Sequence, residues 1–483
     1  MASPYLNKTP MNSIETHDVQ GLITKGYASL PACRFVLLAI NDKQSVKKWL
    51  KGIAQKVTHS SASYETAALN IAFTFDGLKA LGLPAQSMET FPLEFEDGMT
   101  TAHKQLFLGD FGTSAPATWE WGGIQNDPVH ILLMIYAATE EILTDLYAKH
   151  EAQFAKNGLR EHTQLDTSVL IKRKEHFGFH DGIAQPTIDG LNRKDIPENT
   201  VATGEFILGY KNSYGQYPPT PMVADTTGDS TLLAAATEAG MRDLGKNGSY
   251  LVFRQMEQDV ALFWDYMEKA TCSNDKGNTE EMIKLASKMV GRWPGGSPIS
   301  LCPDKDEDSM ENHDAFGYRH TDGDGLKCPI GAHIRRTNPR DSLDTSHKAS
   351  VEISNKHRIL RRGRSYGKPV CESLDPVEIL KAENITGTRG LHFICVNTDI
   401  SRQFEFIQNA WVNSPKFLSL YDERDPIIGN NHGPESESKD GIFSTPTNGL
   451  RKRHTDVPQF VTVKGGAYFF MPGIKALTFL SSI

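Results

Sequence analysis

Cysteines are few in this chain, and they do not cluster. Cys33, Cys272, Cys302, Cys328, Cys371 and Cys395 are scattered without a Cys-x-x-Cys pair. Neither a zinc ribbon nor a dense disulfide framework fits that spacing, which suits reduced thiols in a cytosol. Long hydrophobic runs are also missing. The longest, Ile131 to Ala138, falls far short of the ~18 residues that span a bilayer. The first thirty residues carry Asp and Glu and lack the apolar stretch of an export signal or a twin-Arg start. A cytoplasmic protein with no membrane segment is the resulting expectation. Positive charge is not in excess either. Lys and Arg number 51 against 59 Asp and Glu, a net −8, which argues against a general binder of nucleic acid or anionic membrane. No phosphate-cradling Gly-Lys-Ser/Thr loop and no dinucleotide fingerprint follows a strand, which disfavours nucleotide enzymes.

What is present is patterned. With 483 residues, 39% hydrophobic and 23% charged, the chain exceeds one ordinary core and has a normal globular composition. A strand is expected at Phe35–Ile40, followed by a helix through Val46–Ile53 with apolar residues three and four apart. Asn70–Phe75 alternates as a half-buried strand does, and Gly77–Leu81 starts a short helix. Ile131–Tyr136 reads as a strand, with a helix from Thr139. The second half repeats the grammar. Strand Ser249–Phe253 precedes a helix with Val260, Phe263, Trp264 and Met267 on one face. Strand Leu391–Val396 precedes one bearing Ile400, Phe404, Ile407 and Trp411. Two strand-then-helix halves of similar size indicate a duplicated α+β architecture. Residues 1–30 read as a polar arm, and 195–231, 304–324 and 430–456 as excursions from the core, either functional loops or plain surface insertions.

Three short segments carry candidate chemistry. His333 sits in Cys328-Pro-Ile-Gly-Ala-His-Ile-Arg-Arg336, where Pro329 and Gly331 fix the backbone before it and Asn338-Pro339 ends the element after it. An imidazole on so short and rigid a segment is either a structural histidine or the axial ligand a haem iron needs. Asp181 lies in Gly178-Phe-His-Asp-Gly182, which reads as a plain Asp-Gly turn or as a loop whose glycines allow close backbone approach. Arg361 follows the apolar Ile359-Leu360, and an arginine leaving such a surface needs an anionic partner.

Taken in order, Gly178-x-x-Asp181-Gly182, Cys328-Pro-x-Gly-Ala-His333-Ile-Arg-Arg and Arg361-x-Gly-x-x-Tyr-Gly367 resemble the dye-decolourising peroxidase family. Phe73–Gly82, Gly291-Arg-Trp-Pro294, Phe404–Trp411 and Tyr468–Pro472 resemble stretches of that family's longer members. The likeness runs from about residue 30 to the C-terminus. It implies an α+β protein of two ferredoxin-like domains, each an antiparallel sheet with peripheral helices, in the dimeric α+β barrel-like superfamily. The domains would cover 31–240 and 241–483, after the arm of 1–30. It implies one haem b per chain, with His333 as axial ligand, Asp181 as distal acid–base and Arg361 as distal arginine, able also to hold a haem propionate. Leu391 and Phe393 correspond to apolar residues lining the distal pocket. The implied activity reduces hydrogen peroxide and oxidises dyes, phenols and other bulky aromatic reductants through ferryl intermediates.

The residue types suit that chemistry. A group that accepts and then returns a proton can cleave peroxide heterolytically, and a fixed cation stabilises the oxygen anion that develops. An aspartate titrates near ~3.9 against ~6.5 for histidine, so dye oxidation with an acidic optimum is expected. Trp411, Tyr366, Tyr421 and Tyr468 are candidates to carry an electron to the surface, with core packing the plainer role for Trp411. One departure from the family pattern is Ala467 in Gly465-Gly-Ala-Tyr-Phe-Phe470, where a Glu is common. If that Glu accepts the second N–H of the ligand histidine, another acceptor must orient His333. His180 either shifts Asp181's proton affinity or faces solvent. Rival readings are a haem-binding carrier or sensor, chlorite decomposition, and iron release from haem.

Overall fold

The computed structural model describes residues 13–191, 197–226, 229–272, 278–307, 313–383, 385–431, 441–447 and 449–483. Parts of the arm and of the three expected excursions (1–12, 195–196, 227–228, 308–312, 432–440 and 448) lie outside the described residues.

Local sequence places the elements of the first half. Strand β1 (Ala32–Ile40) leads into helix α1 (Lys43–Ala54), strand β2 (Ala67–Phe73), strand β3 (Ile131–Ala137), helix α2 (Glu140–Phe154) and strand β4 (Leu159–Asp166). Asp42 and Thr139 cap α1 and α2 by accepting the N–H of Gln44 and Ile142. The second half begins with strand β5 (Ser249–Gln258) and helix α3 (Val260–Thr271), capped by Asp259. A short helix α4 (His333–Thr337) and strands β6 (Leu360–Arg361), β7 (Arg364–Tyr366) and β8 (Gly390–Asn397) follow. Two π-helical stretches, Ser401–Glu405 and Ile407–Val412, then lead to strand β9 (Val461–Met471). Val260, Phe263, Trp264 and Met267 are all buried, as are Ile400, Phe404, Ile407 and Trp411. The two apolar faces read from spacing are therefore the faces that pack.

Both halves share one topology. The first orders its strands β2-β3-β1-β4, and the second orders them β6/β7-β8-β5-β9. Each is the second-third-first-fourth antiparallel arrangement of a ferredoxin-like unit. The α+β class with two such units is thus the observed architecture. The halves join edge to edge where Phe470 of β9 pairs with Phe73 of β2, giving one nine-stranded sheet. Both faces of that sheet are covered, which is why β3 reads Ile-Leu-Leu-Met-Ile-Tyr-Ala without alternation and is buried throughout. Buried ion pairs cross between the halves, Lys104 Nζ to Glu405 Oε1 at 2.7 Å and Arg254 with Asp110.

Two readings from composition need correction. Residues 13–30 do not form a free arm: Val19, Leu22, Ile23, Tyr27 and Leu30 are buried. Gln20 Nε2 donates to the carbonyls of Ile71 and Pro472, tying the segment to both halves. Nor is 197–226 wholly an excursion, because Val201, Phe206, Ile207, Leu208 and Tyr210 enter the core. A short apolar triplet is easily hidden among Gly, Pro and Thr, yet burying it outweighs that polar composition.

Candidate functional site

Helix α4 has five residues, too few to stand alone, and its two arginines hold it. Arg335 donates to the carbonyls of Asp322, Cys328 and Gly323, with its guanidinium 4.5 Å from the centre of the Tyr318 ring. Arg336 donates to the carbonyls of Trp411 and Glu423, both at 2.6 Å. His333, at the start of the helix, donates from Nδ1 to Asp425 Oδ2 at 2.9 Å. Because a carboxylate only accepts, this contact fixes the proton on Nδ1 and leaves Nε2 with its lone pair. Asp425 is fully buried, and its Oδ1 accepts the N–H groups of Ile427 and Ile428. Burial opposes ionisation of Asp425, but the His333 contact, the Ile428 N–H and the charge of Arg336 together hold it below the usual carboxylate range.

Arg361 leaves β6, where it pairs with Cys395 of β8, and its N–H donates to Gln185 Oε1. Its Nη1 donates to Asp181 Oδ1 at 2.7 Å, and the Gly182 N–H reaches the same oxygen at 2.6 Å. Burial raises the proton affinity of Asp181, but Arg361 and the Gly182 N–H together lower it below the ordinary carboxylate value. The neighbouring arginines do other things. Arg362 donates to the carbonyls of Leu22 and Ile23, and Arg364 to those of Gly26 and Tyr27. The basic cluster is therefore divided: Arg361 faces the site and the other two hold down the N-terminal segment.

Leu391 and Phe393 alternate with buried His392 on β8, so they share a face of the sheet. The structure brings Asp181, His333, Arg361, Leu391 and Phe393 together in the walls of one cavity, along with His180. Its other walls are mostly apolar, among them Ile334, Phe404, Ile407 and Ile428, while Arg292, Arg340 and Arg358 also face it. Asp314, from the acidic stretch, pairs with both Arg292 and Arg340.

Residues 18–169 match the profile of the DyP dimeric alpha+beta barrel domain. The chain is 29% identical to a dye-decolorizing peroxidase of Exidia glandulosa, covering 99% of this chain and 89% of that protein. It is 29% identical to the multifunctional dye peroxidase DyP2 of Amycolatopsis sp., covering 100% and 96%. The crystal structure of a decolorizing peroxidase from Auricularia auricula-judae superimposes with a TM-score of 0.77 at 28% identity, covering 97% of this chain and all of that one.

Along nearly its whole length the chain is similar to dye-decolourising peroxidases. Dye-decolourising peroxidases are haem-dependent, and the cavity suits that group chemically: an imidazole nitrogen with a free lone pair, apolar walls for a macrocycle, and arginines for its acid groups. Asp425 supplies the acceptor that the Ala467 departure left open. Ala467 itself lies on β9, paired with Phe253 of β5, so that position is not where His333 finds its partner. Ninety-two residues of chain separate His333 from Asp425, and no local signal links them. Arg292 was visible only as part of Gly291-Arg-Trp-Pro294. Of the four aromatic candidates for electron transfer, Tyr421 is 82% exposed, whereas Trp411, Tyr366 and Tyr468 are buried. Trp411 packs with Val412 and Phe417 and lies edge-on to His357, 5.2 Å between ring centres. Among the described residues, no helix is long and apolar enough to cross a membrane.

Proposed function

We propose that this chain is a haem-dependent peroxidase that reduces hydrogen peroxide and oxidises dyes, phenols and other bulky aromatic reductants, using one haem b. The observation that carries the reading is the Asp181–Arg361 pair, set in the same cavity as a histidine whose Nδ1 proton is fixed by Asp425. A carrier needs no such pair. Haem would supply the iron that takes two oxidising equivalents from peroxide. His333 would hold it through Nε2, and Arg292, Arg340 and Arg358 would meet its carboxylates.

The protein's own groups divide the proton work. Asp181 Oδ1 is taken by Arg361 and the Gly182 N–H, so Oδ2 is the atom that takes a proton from one peroxide oxygen and returns it to the other. Arg361 keeps Asp181 ionised at rest and stabilises the negative charge that develops as the O–O bond breaks. Leu391 and Phe393 keep the cavity narrow, so peroxide enters while bulky reductants are oxidised from outside it. The domain division at residue 240 belongs to the same proposal, with Asp181 reaching across from the first unit. A cytoplasmic location is proposed on the six cysteines, all unpaired.

The direct test is the absorption spectrum of the haem-reconstituted chain before and after one equivalent of hydrogen peroxide, with chlorite as a parallel substrate. A Soret band that responds to peroxide supports the reading; specific haem uptake without a peroxide response overturns it.

Two further outcomes are expected. Asp425→Ala should weaken haem affinity or peroxidase activity by about 10–100-fold, because His333 loses the partner that fixes its tautomer and ring orientation. Titration of haem into the variant reads this directly. The second concerns pH. Asp181 is the required base, and its proton affinity is lowered, so the peroxide reaction should persist as pH falls below the unperturbed carboxylate value of 3.8 and fade only as Asp181 protonates. Arg361→Met removes the main lowering influence while burial remains, so the acid limb should move to higher pH. Stopped-flow rates with peroxide across the acidic range check both the limb and its displacement.

A further inference from the structure

Three N–H groups converge on one carboxyl group in the wall of the same cavity. Glu175 Oε1 accepts the backbone N–H of Phe179 at 2.8 Å, and Oε2 accepts those of Phe177 at 2.9 Å and of the Gln258 side chain at 2.6 Å. The main chain closes round the same residue: Glu175 N–H donates to Phe179 O, and Gly178 N–H donates to Glu175 O. Gln258 is the last residue of β5, so the contact fastens this loop to a central strand of the second half-sheet. The aromatic rings anchor the loop on its other side. Phe177 stacks on Phe263 with ring centres 4.4 Å apart, and Phe179 is buried. Two residues beyond Phe179 stands Asp181.

We propose that Glu175 is a positioning residue, whose carboxyl group sets the path of residues 176–181 and thereby the place of the Asp181 carboxylate in the cavity. The inference rests on the reading of Asp181 as the acid–base group. The need for such a residue follows from the loop's own composition. Gly178 and Gly182 both have positive φ, +99° and +79°, and glycines that adopt these angles easily adopt others as well. The far end of the loop is held by Asp181 N–H to Arg173 O and His180 N–H to Pro294 O; the near end is held at Glu175. Proton transfer needs heavy atoms within about 2.6–3.2 Å, so a loop free to drift would lose the reaction while keeping the cavity. Burial, then the charge of Asp181, outweigh the three N–H bonds and push Glu175 up to about 7.

The test is a double-mutant cycle on the haem-reconstituted full chain, reading the stopped-flow rate with hydrogen peroxide, the resting Soret band and the melting temperature. Glu175→Ala should slow the peroxide reaction by about 10–100-fold, the scale of an ångström's misplacement, with the Soret band retained. Glu175→Gln keeps one acceptor oxygen and should recover part of that loss. In the Asp181→Asn background, Glu175→Ala should have no further effect, because its influence runs through Asp181. Equal losses on both backgrounds, or a Glu175→Ala rate equal to that of the unchanged chain while Asp181→Asn is slow, would overturn the inference alone. An unchanged rate in Asp181→Asn would overturn the acid–base reading, and this inference with it. Should Glu175→Ala fail to take up haem, Glu175→Gln carries the same cycle: a loss confined to the Asp181 background supports the inference, and equal losses on both overturn it.

Discussion

Asp181→Asn is expected to slow the reaction with hydrogen peroxide by about 10²–10⁴-fold, the usual worth of a positioned acid–base group, while haem uptake stays intact. Asparagine matches aspartate in shape, so the loop path set by Glu175, Arg173 and Pro294 is not disturbed. What is lost is proton exchange at Oδ2. The amide oxygen can still accept from Arg361, but its charge is gone, and Arg361 loses its ion-pair partner. Stopped-flow spectroscopy at several peroxide concentrations measures the rate, and the resting Soret band controls for haem. A haem-loaded variant that reacts as fast as the unchanged chain would sink the acid–base assignment. If neither form reacts, a carrier or sensor becomes the better reading.

The second large effect is expected at His333. His333→Ala should abolish tight haem retention and the peroxide response together, because among the described residues lining the cavity the one other histidine is His180, on the loop that carries Asp181. The fold should survive. Asp425 keeps the Ile427 and Ile428 N–H bonds and the nearby Arg336 charge, and Arg335 and Arg336 still tie α4 to its neighbours. Added imidazole has room in the vacated space and should restore part of the haem signal. Retention of the unchanged chain's Soret band in His333→Ala, with circular dichroism also unchanged, would place the iron ligand elsewhere.

Much of this is legible in the sequence. Short continuous apolar runs located β1, β3, β5 and β8, alternation located β2, and a 3.6-residue period located the apolar faces of α3 and of the turns after Ile400, because all of these are properties of neighbouring residues. The three ordered motifs marked Asp181, His333 and Arg361 because each motif is short and carries its own glycines or prolines.

What the chain order concealed is long-range. Asp425 as the partner of His333, Gln258 as the strand-side contact of Glu175, and Phe470 beside Phe73 at the seam all join residues far apart in sequence. So do the bonds from Arg362 and Arg364 to the N-terminal segment, which separate a basic cluster that composition treats as one patch. A carboxylate or a guanidinium has the same local signature whether it faces water or a buried partner 92 residues away. Only the packing of the two half-sheets, which removes water and leaves each polar group to find a partner or remain unpaired, decides which of the two it is.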